Sequence, residues 1–181
     1  MPVFVALLRG VNVGGHNKIK MDVLRGLCES LKCENPQTYV QSGNVVFRTK
    51  EKNPATLAKR IEDAIEKELG FRPAVILRTA AEMKDVVAKN PFAKRQFDPA
   101  KLAVIFFADR FSTEVKKQVL ELKVGPEEIK AADRELYIYF PDGMGRSKLP
   151  AAMGRVTKNA GTARNWNSVT KLLEMAEELR D

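Results

Sequence analysis

The residues with the clearest chemical potential form one short stretch, Arg9-Gly10-Val11-Asn12-Val13-Gly14-Gly15-His16-Asn17-Lys18. It follows the apolar run Val3 to Leu8 and precedes a helical pattern that begins near Met21. A glycine-rich loop between a strand and a helix can gather several backbone N–H groups at one point, and such a point attracts anions. Arg9, Lys18 and nearby Lys20 add positive charge, and no acid occurs before Asp22. The loop therefore reads as an anion site, with Arg9, Gly10, Asn12, Gly14, Gly15 and Lys18 as its ligand-binding residues. The alternative is a strand-to-helix turn that needs glycine for backbone reasons alone.

Familiar phosphate and hydrolase signatures fit poorly. Gly10 and Gly15 have the outer spacing of a P-loop, but His16 and Asn17 stand where its lysine and hydroxyl should follow. Gly10, Gly14 and Gly15 also fail the dinucleotide fingerprint. Ser42, His16 and Asp22 supply the residue types of a hydrolytic triad, yet Ser42-Gly43 reads as a hairpin turn and not as a nucleophile elbow. His16 is the single histidine and so the one conventional imidazole base. No metal-ligand cluster appears in the glycine-rich or basic stretches, and no cofactor is indicated.

Charge adds a second region of interest. Residues 1–21 carry three basic residues and residues 143–173 carry six, with no acid in either stretch. The remainder holds 22 basic against 23 acidic residues, so the whole excess of the +8 chain lies in these two stretches. If folding brings them together they make one positive field. Asn165-Trp166-Asn167 opens the last predicted helix inside the second stretch. Asn165 or Thr162 can cap that helix, Trp166 lies on its apolar stripe, and Arg164 precedes it, placed to face solvent and an anion. Arg164, Asn165 and Asn167 join the candidate ligand-binding set, as do Gln41 and Asn44 from the middle of the chain.

Apolar periodicity supplies the elements that must position these groups. Val3 to Leu8 reads as a covered strand, and Met21, Leu24, Leu27, Cys28 and Leu31 recur at helical spacing. Pro36 closes that unit. Thr38 to Gln41 and Asn44 to Phe47 read as a hairpin across Ser42-Gly43. A helix follows from about Pro54 to Leu69, stopped by Gly70, and then a strand at Ala74 to Leu77. The order is β-α-β-β-α-β, the split βαβ or ferredoxin-like unit. After a short helix around Glu82 to Lys89 the pattern partly restarts. It gives a strand at Leu102 to Ala108, a helix capped by Ser112, and a hairpin of Glu128 to Ala132 with Glu135 to Phe140. A helix at Ser147 to Val156 and a final helix from near Asn165 complete it.

The expected fold is thus α+β, two ferredoxin-like units in tandem, the second incomplete or modified. The expected boundaries are residues 1–79 for the first unit, 80–100 for a connector and 101–181 for the second. At 181 residues, 44% hydrophobic and 30% charged, the chain is long and apolar enough to bury a proper core. No apolar run reaches bilayer-spanning length, which argues against a membrane partner. Two cysteines five apart, without a metal-ligand cluster, fit buried thiols in a reducing cytoplasm.

Taken together, Val5 to Gly15 with Lys18 and Met21, Tyr39 to Phe47, and Thr162 to Leu172 resemble three motifs of an uncharacterised bacterial family of domains of unknown function. In that family they read V-A-L-L-R-G-[IV]-N-V-G-G, Y-x-Q-S-G-N-V-V-F and T-x-R-N-W-N-[ST]-V-x-K-L. The resemblance implies a duplicated ferredoxin-like fold and carries no activity, substrate or catalytic residue with it.

Three functional readings follow. In the first, the glycine loop and the basic C-terminal stretch bind a phosphate-bearing ligand, a nucleotide or a nucleic acid. In the second, Arg9, Asn12, Gln41, Asn44, Arg164 and Asn167 line the active site of a small-molecule enzyme. In the third, these polar motifs brace the fold. RNA recognition on the sheet face has weak support, because Asn44 to Phe47 offers only Phe47 as a stacking aromatic on the third strand.

Overall fold

The computed structural model of the protein describes residues 1–123 and 125–180. It divides into two compact units, one made of Met1–Asp85 with the chain from Thr170 onward, the other of Val86–Val169. The architecture is α+β: among the described residues there are two antiparallel four-stranded sheets and six α-helices.

In the first unit the elements are β1 (Val3–Leu8), α1 (Met21–Ser30), β2 (Glu34–Thr38), β3 (Asn44–Arg48), α2 (Pro54–Leu69) and β4 (Val75–Thr79), leading into α3 (Ala80–Ala88). The strand order is β2-β3-β1-β4. Side-chain alternation sends Phe4, Ala6 and Leu8 of β1 into a core with Leu24, Cys28, Leu57, Ile61 and Ile65 from α1 and α2. Val3, Val5 and Leu7 point the other way and are buried too, which is why β1 is apolar without a break. Helix α2 is bounded as its sequence suggests. Asn53 Oδ1 accepts from Thr56 N–H at 3.2 Å, Pro54 occupies the first turn, and Gly70 closes the end in the left-handed region.

This topology decides what meets at one edge of the sheet. β1 and β2 both run antiparallel to β3, so their C-terminal ends lie at the same edge. The loop after β1 and the β2–β3 connection are therefore neighbours. Helix α2 returns to that edge, since it follows β3 and precedes β4.

The second unit contains β5 (Leu102–Phe106), α4 (Thr113–Leu120), β6 (Glu128–Ala131), β7 (Glu135–Tyr139), α5 (Leu149–Thr157) and β8 (Thr162–Asn165), and α6 (Trp166–Arg180) follows. Its strand order, β6-β7-β5-β8, repeats the order of the first sheet. Ala103, Leu136, Ile138 and Phe140 pack with Val119, Leu149 and Met153. Ser112 caps α4, its hydroxyl accepting from Val115 N–H at 3.1 Å.

Two sequence expectations need correction. The second unit is not incomplete, because Thr162–Asn165 forms a fourth strand against β5. The second strand of the first unit is Glu34–Thr38 rather than Thr38 to Gln41, so Pro36 lies within a strand. That proline is tolerated because β2 is an edge strand with an irregular register between Glu34 and Gln37. Stacking recognition on the first sheet is also disfavoured: Phe4 and Phe47 both lie in the core on its helix side.

Candidate functional site

The glycine loop is closed by its own hydrogen bonds. Gly14 and Gly15 both have positive φ, 57° and 77°, and His16 N–H donates to Val13 O at 2.9 Å. This is the tight turn for which consecutive glycines are suited. Asn12 N–H donates to Asn17 O at 3.1 Å, and Arg9 N–H to Ala74 O at 2.9 Å. The amide of Asn12 is committed as well. Its Nδ2 donates to Ile19 O at 3.0 Å and to Gln41 O at 2.7 Å, while Oδ1 accepts from Ile19 N–H at 2.9 Å. Asn12 thus clasps both arms of its own loop and ties it to the β2–β3 connection. The N–H groups of Arg9, Asn12 and His16 are thus bonded within the fold, and Lys18 and Lys20 supply positive charge beside them.

The β2–β3 connection is built with equal economy. Asn44, fully buried, donates through Nδ2 to Tyr39 O and to Ser42 Oγ, both at 2.8 Å. Leu8 N–H donates to Gly43 O at 2.9 Å. Gly43 has φ 86°, and a Cβ there would stand 2.5 Å from Val11 Cγ2 and 2.9 Å from Leu8 Cβ. Only glycine lets the two loops close on each other. Val40 adopts φ 50° while 50% exposed, a conformation that a β-branched residue rarely adopts.

Between these loops and the end of α2 lies an open pocket of 750 Å³, lined by Asn12, Gly15, Lys18, Ile19, Lys20, Val23, Gln41 and Leu69. Ile19, Val23 and Leu69 give it apolar surface, and Lys18 and Lys20 are its cations. No acidic residue lines it. Asp22 stands nearby in the first turn of α1, where its carboxylate accepts from Val23 N–H at 2.8 Å. Four candidate residues (Asn12, Gly15, Lys18 and Gln41) meet here. Sequence reasoning did not find Leu69, which enters from another helix, or assign a role to Ile19 and Val23. Lys20 was visible as charge alone. Gly10 and Gly14 belong to the same loop without lining the pocket, Arg9 is half-buried beside it in sequence, and Asn44 acts beneath the hairpin.

A family model described as "Protein of unknown function (DUF1697)" matches residues 1–137. The chain belongs to this family. The span matched to DUF1697 includes the glycine loop and the β2–β3 connection, and it ends before Thr162. The DUF1697 chain is also similar in structure to a conserved bacterial protein from Streptococcus pneumoniae. That likeness has a TM-score of 0.78 at 22% identity and covers 98% of this chain and 99% of the other, which bears on the fold. A comparison with curated proteins finds no match.

The basic stretch of this DUF1697 chain belongs largely to the second unit, and there Arg164 departs from expectation. It is 6% exposed, not solvent-facing, because alternation in β8 turns Thr162 and Arg164 inward. Its Nη1 donates to Thr162 Oγ1 at 2.7 Å and to Ala163 O at 2.9 Å. Burial lowers its pKa to about 10, so it stays charged at neutral pH. Asn165 caps α6, its Oδ1 accepting from Ser168 N–H at 2.8 Å. Asn167 is exposed in the first turn of that helix. Trp166 is a core residue, in edge-to-face contact with Phe97 at 6.4 Å. Arg146 and Lys148 line a separate depression of 620 Å³ with Lys101, Glu127 and Ser147.

Proposed function

We propose that this protein binds a small phosphate-bearing ligand, a nucleotide, in the pocket between the glycine loop and the β2–β3 connection. One observation carries the reading: Lys18 and Lys20, without an ion-pair partner among the described residues, flank a pocket that has apolar surface and no acidic lining. Unpaired lysines favour an anion, and Ile19, Val23 and Leu69 favour an apolar body attached to it. The pocket volume falls in the range of small-ligand sites. A nucleic acid is less well served, because its affinity grows with the number of phosphates neutralised, and two lysines neutralise few.

We further infer that each unit is ferredoxin-like, a reading supported by the β-α-β-β-α-β order with the first strand between the third and fourth. The proposed role is binding and does not extend to a reaction.

Calorimetry with inorganic phosphate, adenosine monophosphate and a short single-stranded oligonucleotide across a salt series tests the binding proposal. The mononucleotide is expected to saturate, and the Lys18→Ala/Lys20→Ala double variant to bind it about tenfold or more weakly. Absence of any binding at low salt and high protein concentration would falsify it.

A further inference from the structure

Resting on that binding reading, we propose that Gln41 selects the ligand, and that the ligand carries a planar group with a hydrogen-bonding edge, as a nucleobase does, beside its phosphate. Two carboxamides line the pocket. Asn12 has both amide hydrogens and Oδ1 engaged by the backbone. Gln41 is exposed, and its side chain has no hydrogen-bond partner among the described residues. A free carboxamide offers two donors and an acceptor at one point, the pattern that reads an amide-like or nucleobase edge.

The backbone around Gln41 is fixed. Its carbonyl accepts from Asn12 Nδ2 at 2.7 Å, and the next turn is held by Asn44 and by the close approach of Gly43 to Leu8 and Val11. Val40, immediately before it, holds a left-handed conformation that valine resists. Strain of this kind persists only where surrounding structure imposes it, and it concentrates at sites that need a group held in place. Lysine charge, apolar wall and carboxamide thus meet in one pocket. Inorganic phosphate uses only the first and a sugar phosphate adds little to it, whereas a nucleoside monophosphate uses all three.

Calorimetric titration of inorganic phosphate, ribose phosphate, adenosine monophosphate and uridine monophosphate tests this, with the native chain compared to Gln41→Leu and Gln41→Glu. At least one nucleoside monophosphate is expected to bind about tenfold more tightly than ribose phosphate, the worth of roughly one neutral hydrogen bond with its apolar contact. Gln41→Leu should abolish that preference, bringing the nucleoside monophosphates down to the affinity of ribose phosphate, and Gln41→Glu should weaken every phosphate by charge repulsion. Gln41 is exposed, and circular dichroism and thermal melting confirm that each variant folds. A nucleotide preference that survives Gln41→Leu, or ribose phosphate binding as tightly as the nucleotides, overturns the role of Gln41 while leaving phosphate binding intact. A short single-stranded oligonucleotide that outcompetes every mononucleotide with steep salt dependence assigns the site to a polymer and also overturns it. Failure of all four probes to bind removes the underlying reading as well.

Discussion

Arg78 and Arg164 stand at matching places in two sheets of the same topology. Arg78 pairs with Val5, the third residue of β1, and Arg164 pairs with Val104, the third residue of β5. Each donates Nη1 to the carbonyl of the residue before it, Arg78 to Leu77 O at 3.0 Å and Arg164 to Ala163 O at 2.9 Å. Both are buried. Leucine at either position keeps much of the aliphatic volume but removes the charged donor. Each single substitution should destabilise the protein by roughly 2–4 kcal/mol in chemical denaturation, because the carbonyls then lose a charge-assisted partner.

Gly43→Ala should be costly and Gly15→Ala mild. Both glycines have positive φ, but a Cβ at 43 meets Leu8 and Val11, whereas a Cβ at 15 meets open space. Steric overlap added to left-handed strain should give a loss of about 2–4 kcal/mol at 43, against about 1–2 kcal/mol at 15. Thermal melts of the two variants side by side would check the difference. Equal losses would mean that backbone conformation, not loop closure, accounts for Gly43.

Val40→Asn and Asn12→Ala should have contrasting effects on stability. Val40→Asn suits a left-handed conformation better and removes an exposed apolar side chain, so it should leave stability unchanged or raise it by up to about 1 kcal/mol. Asn12→Ala should cost roughly 1–3 kcal/mol, since Ile19 N–H and the Ile19 and Gln41 carbonyls lose their partner. Its ligand affinity should fall further than that of Val40→Asn, because the loop tie itself is lost.

The two thiols should resist modification and make the protein sensitive to alkali. Burial raises Cys28 from an ordinary value of 9.0 to about 12, with Cys33 and Glu29 adding to the shift. Burial likewise raises Cys33 to about 11, opposed by Arg60. Below pH 9 both folded and unfolded chains keep these protons, so the thiols give no pH slope. Above it the unfolded chain releases them first, and stability should fall until the buried thiols ionise at about 11 and 12. Melts across this range should show the decline, and Cys28→Ala/Cys33→Ala should flatten it. Iodoacetamide at neutral pH should label the folded protein far more slowly than the unfolded one.

Leu172 lies fully buried on α6. Leu172→Ala should cost about 2–5 kcal/mol in urea unfolding, according to how far the surroundings collapse into the space.

The elements legible in the sequence are those whose buried faces are apolar. β1 and β5, with α1, α2 and the later part of α6, were visible because Phe4, Ile61, Val104 and Leu172 follow the spacing of the face they bury. β8 was hidden because its inward residues are Thr162 and Arg164, which hydrophobic alternation cannot register. β2 was displaced in the reading for the opposite reason. Tyr39 and Val40 have strand-forming side chains but belong to the connection, whereas Asn35 and Pro36, poor strand formers, lie in the strand. At the candidate site, polar composition marked Asn12, Lys18 and Gln41 but could not tell which amide was already engaged. That distinction depends on carbonyls at Ile19 and Gln41, and a sequence does not display carbonyl directions.

The irregular edge at β2 has a consequence for encounters between copies. An exposed edge strand normally offers a row of unpaired amides on which another chain can lay its own strand. In β2 the third of five residues is Pro36, which has no amide hydrogen, and Asn35 beside it has a φ of 52°. Register slips at the same point, and Glu34 adds a negative charge at 3.8 Å from Arg48. An incoming strand would meet an irregular backbone and a missing amide hydrogen in the middle of β2. Growth of the first sheet by stacking molecules edge to edge along β2 is thus disfavoured by the strand's own residues.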